Sequence, residues 1–247
     1  MSKRGSGLAP DALYGVNPVK EALQSRPVEY VLVAEGHHGP RVQAIIETCR
    51  ADGISLRFAP APALERLAGT AQHQNVVAVC AAKAYDELDS ILHASAPALL
   101  VVLDGVEDPA NLGAVVRTAV AAGADGIVIP ERRAAGLSPA AARAAAGALE
   151  HARIARVTNL VRALEDFKKR NVWVYGFEAQ ATKSYLELDY AGSCALVFGG
   201  EGHGLHRLVR ETCDHRARIP LHGPVESLNV SVATAVVLYE AARQRSG

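Results

Sequence analysis

Three short stretches of this 247-residue chain bring carboxamide, hydroxyl, carboxylate and guanidinium groups together with glycine, where an apolar run stops or starts. In LDGVEDPANLGAVVRTA an apolar run ends at Asp104, Pro109 breaks the chain, and Asn111 is placed to cap a helix that carries Arg117. Helical side chains lean toward the helix N-terminus, so Arg117 is expected above Gly113, where no side chain blocks it, and within reach of the preceding loop. ALVFGGEGHGL runs a second apolar stretch into four glycines that enclose Glu201 and His203. Such glycines let a backbone approach a ligand closely or adopt positive φ. IPLHGPVESLNVSVATAVVLYEAAR enters a helix apolar on nearly every side through Ser227, Asn229 and Ser231. Polar groups at the mouth of a buried helix cost free energy unless they are hydrogen-bonded, so a partner is expected there. Ser227 is read as the cap and Leu228 as the first helical residue, with the unpaired amides of the first turn facing that partner.

These groups orient a ligand and stabilise charge; metal-assisted and dinucleotide chemistry are both disfavoured. Cys49, Cys80, Cys194 and Cys213 are far apart, with no CxxC or CxxxH pattern, which argues against a zinc site or a disulfide framework. The histidines are scattered, and His203 and His206 read as loop or surface residues. The glycines around Glu201 do not fit GxGxxG, and no acidic residue follows at the distance a dinucleotide site requires. A phosphate-binding Walker loop is excluded by the absence of GK[ST].

The elements that must position these stretches follow from periodicity. Leu13 to Ala81 alternates helix and strand: a helix near Asn17 to Gln24, the strand VEYVLVA, a helix from Arg41 to Ala51, then ISLRFA and VVAVCAA, a small α/β unit. Residues 83–97, more acidic and closed by Pro97, read as a linker. From Pro97 onward, near-continuous apolar strands alternate with helices, which implies a mostly parallel sheet covered on both faces. Ser138 with Pro139, and Thr158, are placed as helix N-caps, and Gly123 as a helix stop. Ligands of such sheets lie beyond the carboxyl ends of the strands, where all three polar stretches fall. The domains expected are a tail over residues 1–11, a first domain over 12–82, the linker, and a second domain over 98–247. The tail, MSKRGSGLAPD, lacks the apolar segment of a signal peptide, and no apolar run approaches the roughly 20 residues of a membrane span, so a cytoplasmic protein is expected. Lys and Arg total 26 against 26 acids, so no global field draws a polyanion. Arginines gather at Arg132, Arg133, Arg143, Arg153 and Arg156, and again at Arg207, Arg210, Arg216 and Arg218, two sets placed to form basic faces on a neutral body.

NLGAVVRTA, LVFGGEGHGL and IPLHGPVESLNVSVA resemble, in order and spacing, the three signature motifs of the SpoU (TrmH) branch of the SPOUT RNA 2′-O-methyltransferases. YGVNPVKEAL and HQNVVAV resemble the small ribosomal-protein-like RNA-binding domain that precedes the catalytic domain in RlmB-type members, which methylate a guanosine in the peptidyl-transferase region of 23S ribosomal RNA. Asn75 stands where the family commonly has glycine; asparagine also tolerates a left-handed backbone. Gly200 occupies a variable motif position. The resemblance implies a parallel α/β fold with a C-terminal trefoil knot, S-adenosylmethionine as cofactor, no metal, and a homodimer in which an arginine can cross to the partner's site. It implies cofactor contacts from the backbone around Gly199, Gly200, Ile219 and Leu228, and a catalytic surround of Asn111, Arg117, Glu201, Ser227 and Asn229. Because arginine stays protonated in proteins, Arg117 is expected to act as a cation that stabilises developing alkoxide or holds a phosphate. Ser227 and Asn229 are expected to orient ribose and loop. Transfer-RNA and antibiotic-resistance methyltransferases share these motifs, and a catalytically silent RNA-binding factor is the reading from another class.

Overall fold

Helical and strand periodicities alternate along the chain, and the computed structural model follows them through residues 10–92 and 95–246, the residues it describes. In chain order the strands and helices are β1 (Pro10–Tyr14), α1 (Val16–Ser25), β2 (Val28–Ala34), α2 (Pro40–Ala51), β3 (Leu56–Ala59), α3 (Ala61–Ala68), β4 (Val76–Ala81), α4 (Leu88–Leu92), β5 (Leu99–Asp104) and α5 (Pro109–Ala121). They continue as β6 (Gly126–Pro130), α6 (Pro139–Ala144), β7 (Ile154–Val157), α7 (Leu160–Lys169), β8 (Trp173–Phe177), β9 (Lys183–Ser184), β10 (Cys194–Gly199), α8 (Arg207–Thr212), β11 (His215–Arg218) and α9 (Val230–Arg245). Two units result, residues 1–84 with 137–150 and residues 85–136 with 151–247.

The first unit is built on a four-stranded sheet of order β1-β4-β2-β3. Val19 of α1 and Ile45 and Ile46 of α2 pack with Val31, Val33 and Val76 of the sheet, while Leu64 of α3 packs with Tyr14 and Val77. Sequence reasoning missed β1 and α3. Pro10 and Asp11, expected at the end of a tail, already pair with Ala81 and Cys80; the rest of that expectation falls on residues 1–9, outside the described residues. The prolines that disguised α3 sit at its N-terminal edge, Pro60 as N-cap and Pro62 in the first turn, where no intrahelical N–H is required. Asn75 adopts the left-handed conformation expected of it, φ 61°, beside Gln74 at φ 53°. Gln74 then accepts a hydrogen bond from the Val16 amide at 2.8 Å, tying the HQN turn to the start of α1. Leu137–Glu150 is part of this unit: Ser138 caps α6 as expected, α6 lies against β1, and Glu150 pairs with Arg26 at 3.1 Å.

The second unit is a seven-stranded sheet of order β7-β6-β5-β10-β8-β11-β9, every adjacent pair parallel. The unbroken apolar runs of β5 and β10 are buried almost throughout, as strands covered on both faces must be. On one face Leu100, Val102, Ala195 and Val197 pack with Leu164 and Phe167 of α7. Each of the Val, Leu and Phe side chains among them contributes roughly 1.5–3 kcal/mol by leaving water. The alternate strand residues face the opposite side, where α5 and α9 lie against each other and against β6 and β10. The segment expected as a linker is integral here: Asp86 exchanges hydrogen bonds with Ile154 through its backbone and its carboxylate, both 2.8 Å, and Ile91 is fully buried. Residues 93 and 94 of that segment lie outside the described residues. Asn159, not Thr158, caps α7, accepting from the Arg162 amide at 3.1 Å.

Strand order reverses direction between β5 and β10, so the loops after these neighbours diverge and leave a crevice at their carboxyl ends. The free thiols in this unit are poor nucleophiles: burial pushes Cys194 up to about 11 and Cys213 up to about 12. Among the described residues no helix is long and apolar enough to cross a membrane.

Candidate active site

The floor of the crevice is a backbone crossing. Asp104 and Gly199 end β5 and β10 in register, and the Gly200 amide donates to the Asp104 carbonyl at 2.7 Å. A β-carbon on Gly200 would lie 1.9 Å from the Gly105 carbonyl oxygen, and one on Gly199 would lie 2.0 Å from the Gly204 backbone. At either position a side chain would require the neighbouring backbone to shift. The loop then turns back on itself, Gly204 donating to the Gly200 carbonyl at 3.2 Å.

Three side chains from remote turns meet above this crossing. Asn111 does not cap α5 as expected; Asp108 does, accepting from the Ala110 amide at 2.9 Å with Pro109 as the first helical residue. Released from capping, the buried Asn111 carboxamide donates through Nδ2 to Glu201 Oε1 at 2.7 Å. Asn229 Nδ2 donates to the same oxygen at 3.0 Å and to Asn111 Oδ1 at 2.9 Å. A carboxylate only accepts hydrogen bonds, so Glu201 fixes both amide orientations. Asn229, not Ser227, caps α9: its Oδ1 accepts from the Ser231 amide at 2.9 Å and the Ser231 hydroxyl at 2.6 Å, and the helix begins at Val230 rather than Leu228. These bonds occupy the polar groups at the mouth of α9. Glu201 Oε2 makes no hydrogen bond among the described residues.

Two clefts flank Glu201 and share Gly200, Glu201, His203 and Gly204. The larger, about 690 Å³, is lined by all four residues expected to bind a cofactor, Gly199, Gly200, Ile219 and Leu228, together with Ser227 and Asn229. Ser227 and Leu228 lie outside any helix or strand, and their backbone groups make no hydrogen bond among the described residues. They are available to a flat heterocycle that needs backbone donors and acceptors between apolar walls, and Ile219 and Leu228 supply such walls. The smaller cleft, about 550 Å³, opens over Asp104, Glu107, Asn111, Arg133 and His206.

Arg117 is not brought to this cluster. It is exposed on α5, lines neither cleft and makes no hydrogen bond or ion pair among the described residues. Six residues along a helix turn about 240°, which carries Arg117 away from the face that presents Asn111. Sequence reasoning also missed His206, whose backbone amide and Nδ1 donate to the buried Asp104 carboxylate at 2.7 and 2.9 Å. The one available signal was the acid that closes the apolar run of β5; nothing in spacing joins it to a residue 102 positions later.

The SpoU rRNA Methylase family model matches residues 98–239, and a model for RNA 2′-O ribose methyltransferase substrate binding matches residues 12–86. Over 241 residues the chain is 43% identical to the 23S rRNA (guanosine-2′-O-)-methyltransferase RlmB of Xanthomonas campestris, covering 95% of this chain and 97% of that one. It is 44% identical over 241 residues to YacO of Bacillus subtilis, named for the TrmH family of tRNA/rRNA methyltransferases, with 96% of each chain covered. Its fold superposes on the SpoU methyltransferase AviRb of Streptomyces viridochromogenes, solved in complex with AdoMet, with TM-score 0.81 and 27% identity over 96% of this chain and 92% of that one.

Proposed function

We infer the activity from one premise: the chain belongs to the SpoU rRNA methylase family. It is an S-adenosylmethionine-dependent RNA methyltransferase that modifies the ribose 2′-hydroxyl of a guanosine in 23S ribosomal RNA. The observation that carries this reading is the meeting of Asn111, Glu201 and Asn229, from three remote turns, on the wall between two clefts. One cleft suits the methyl donor and the other the nucleotide.

Bound S-adenosylmethionine supplies an electrophilic methyl on sulfonium. The chain's own task is positioning, which provides a large share of the rate when reacting atoms are held in line. The backbone around Gly199, Gly200, Ile219 and Leu228 holds the adenosine, and the C-terminal segment that lines the same cleft is the part a trefoil knot would thread. Glu201, held by two amides, presents Oε2 to the ribose, where it orients the hydroxyl and accepts its proton. Ser227 has no partner among the described residues and completes the ribose or cofactor contacts. Glu201→Gln retains an acceptor for Asn111 and Asn229, so it should fold and bind S-adenosylmethionine like the parent while single-turnover transfer drops about a hundredfold or more. A rate near that of the parent removes Glu201 from the chemistry.

The enzyme acts as a homodimer in the cytoplasm, where ribosomal RNA is modified, and Arg117 serves the partner's site. Two features support the dimer: Val232 and Tyr239, seven residues apart on one face of α9, are 48% and 56% exposed, and Arg117 has no hydrogen-bond or ion-pair partner among the described residues. The first domain grips structured RNA, in line with the substrate-binding model that matches it. Removing residues 1–96 would also strip β1 from α6, so substitutions on that domain test its role better than truncation. Incubation with labelled S-adenosylmethionine and either ribosomal or transfer RNA, followed by mapping of the label, tests the whole reading. Label on a guanosine 2′-oxygen of 23S ribosomal RNA is expected; label confined to transfer RNA replaces the substrate, and no transfer to any RNA overturns the activity.

A further inference from the structure

We propose that Arg133 is the phosphate-binding residue of the nucleotide cleft, and that Asp104 and His206 are the positioning residues that hold it. The proposal rests on the methyl transfer inferred above.

Arg133 is exposed, lines the smaller cleft and makes no ion pair among the described residues. Its backbone sits at φ 56°, a conformation that side-chain-bearing residues adopt rarely and that collects at ligand-binding places. Behind it stands a two-step support. Asp104 is buried and can only accept, so His206 donates from Nδ1 at 2.9 Å. A neutral imidazole that donates from Nδ1 presents a lone pair at Nε2, and Arg133 Nη1 lies 3.4 Å from that nitrogen. One guanidinium nitrogen is thereby engaged from behind, and the remaining donors of the fork make no hydrogen bond among the described residues, in a cleft that Asn111 and Glu201 also line.

Charge decides what those donors meet. The cleft is otherwise acidic, lined by Asp104, Glu107, Asp108 and Glu201, and among the described residues Arg133 is the one Lys or Arg that lines it. An RNA backbone entering such a cleft is repelled everywhere except at the guanidinium, so Arg133 fixes where a phosphodiester sits. Its planar fork suits that group in a way an ammonium does not. Phosphate contacts set register without reading sequence, which is what a ribose hydroxyl needs in order to lie over Glu201.

The test uses the full-length protein and a transcript spanning the peptidyl-transferase region of 23S ribosomal RNA. Arg133→Gln should raise the RNA Kd and KM about tenfold, lower the slope of log affinity against log salt by about 0.7–0.9, one phosphate contact, and leave the S-adenosylmethionine Kd within about twofold. Arg133→Lys should recover part of the affinity. His206→Ala should show a smaller rise in KM that His206→Gln reverses, because the glutamine oxygen can accept from Arg133 where Nε2 did; a role in folding alone would not separate these two. Unchanged RNA affinity and salt slope in Arg133→Gln overturn the proposal, and so does a loss of S-adenosylmethionine binding, which would give the guanidinium to the cofactor carboxylate. Parent protein that methylates no RNA overturns the inferred activity instead, so the two failures are distinguishable.

Discussion

Gly199→Ala is expected to abolish methyl transfer and to weaken S-adenosylmethionine binding, whereas Gly223→Ala, in the loop before α9, leaves both unchanged. A β-carbon at Gly199 would stand 2.0 Å from the Gly204 carbonyl carbon and 2.4 Å from the Leu205 amide nitrogen, and contacts under 3.0 Å do not occur in real structures. The obstruction is backbone, so no rotamer relieves it; the loop from Gly199 to Leu205 must open at this crossing. Opening it breaks the 3.2 Å bond from the Gly204 amide to the Gly200 carbonyl and moves Glu201, which lies inside that loop, relative to Asn111. A displacement on the order of 1 Å at a site that works by positioning costs about a hundredfold, and here it falls on the wall shared by both clefts. At Gly223 an added β-carbon meets nothing within 4 Å. Circular dichroism, calorimetric titration with S-adenosylmethionine and single-turnover transfer separate the outcomes, and a Gly199→Ala protein that transfers methyl at the parent rate would show that the crossing is not what places Glu201.

That crossing also marks how far the sequence can be read. Parallel strands buried on both faces announce themselves by composition, which is why β5, β6 and β10 were legible as unbroken apolar runs. The motif residues were legible by type: all four cofactor candidates line one cleft, and Asn111, Glu201 and Asn229 touch. Their pairings were not, because helix caps depend on which of several nearby polar groups wins the first-turn amides. Asp108 displaced Asn111 at α5, and Asn229 displaced Ser227 at α9. Each shift changes a role: Asn111 gains a free carboxamide for Glu201, and Ser227 is released to the cleft. The Asp104–His206 pair was invisible for another reason, since it depends on β10 lying beside β5 rather than beside β9 or β11, and long-range strand order leaves no local trace. Short β1 and proline-edged α3 fell below what periodicity detects.

Arg117 carries the second large effect. Arg117→Ala and Glu201→Ala should each be inactive alone, yet subunits mixed under conditions that allow exchange should regain about a quarter of parental activity, as random reassortment of a two-fold dimer dictates. Half of the mixed dimers then contain one subunit of each kind. In these, the site that keeps its own Glu201 belongs to the Arg117→Ala subunit and receives Arg117 from the other, so one site of two works. Arg117 acting within its own chain gives a different result, because every site in every mixture then lacks either the guanidinium or the carboxylate, and activity stays at zero. The geometry motivates the first outcome: Arg117 points from α5 away from Asn111, makes no ion pair among the described residues, and belongs to a helix packed on α9, whose Val232 and Tyr239 are exposed. A guanidinium stabilises an alkoxide only within a few ångströms of it, and the fold of one subunit leaves Arg117 outside both clefts. Recovery in the mixture, measured by methyl transfer with dimer formation followed by light scattering, therefore requires the second subunit; its absence, with exchange demonstrated, returns Arg117 to its own chain.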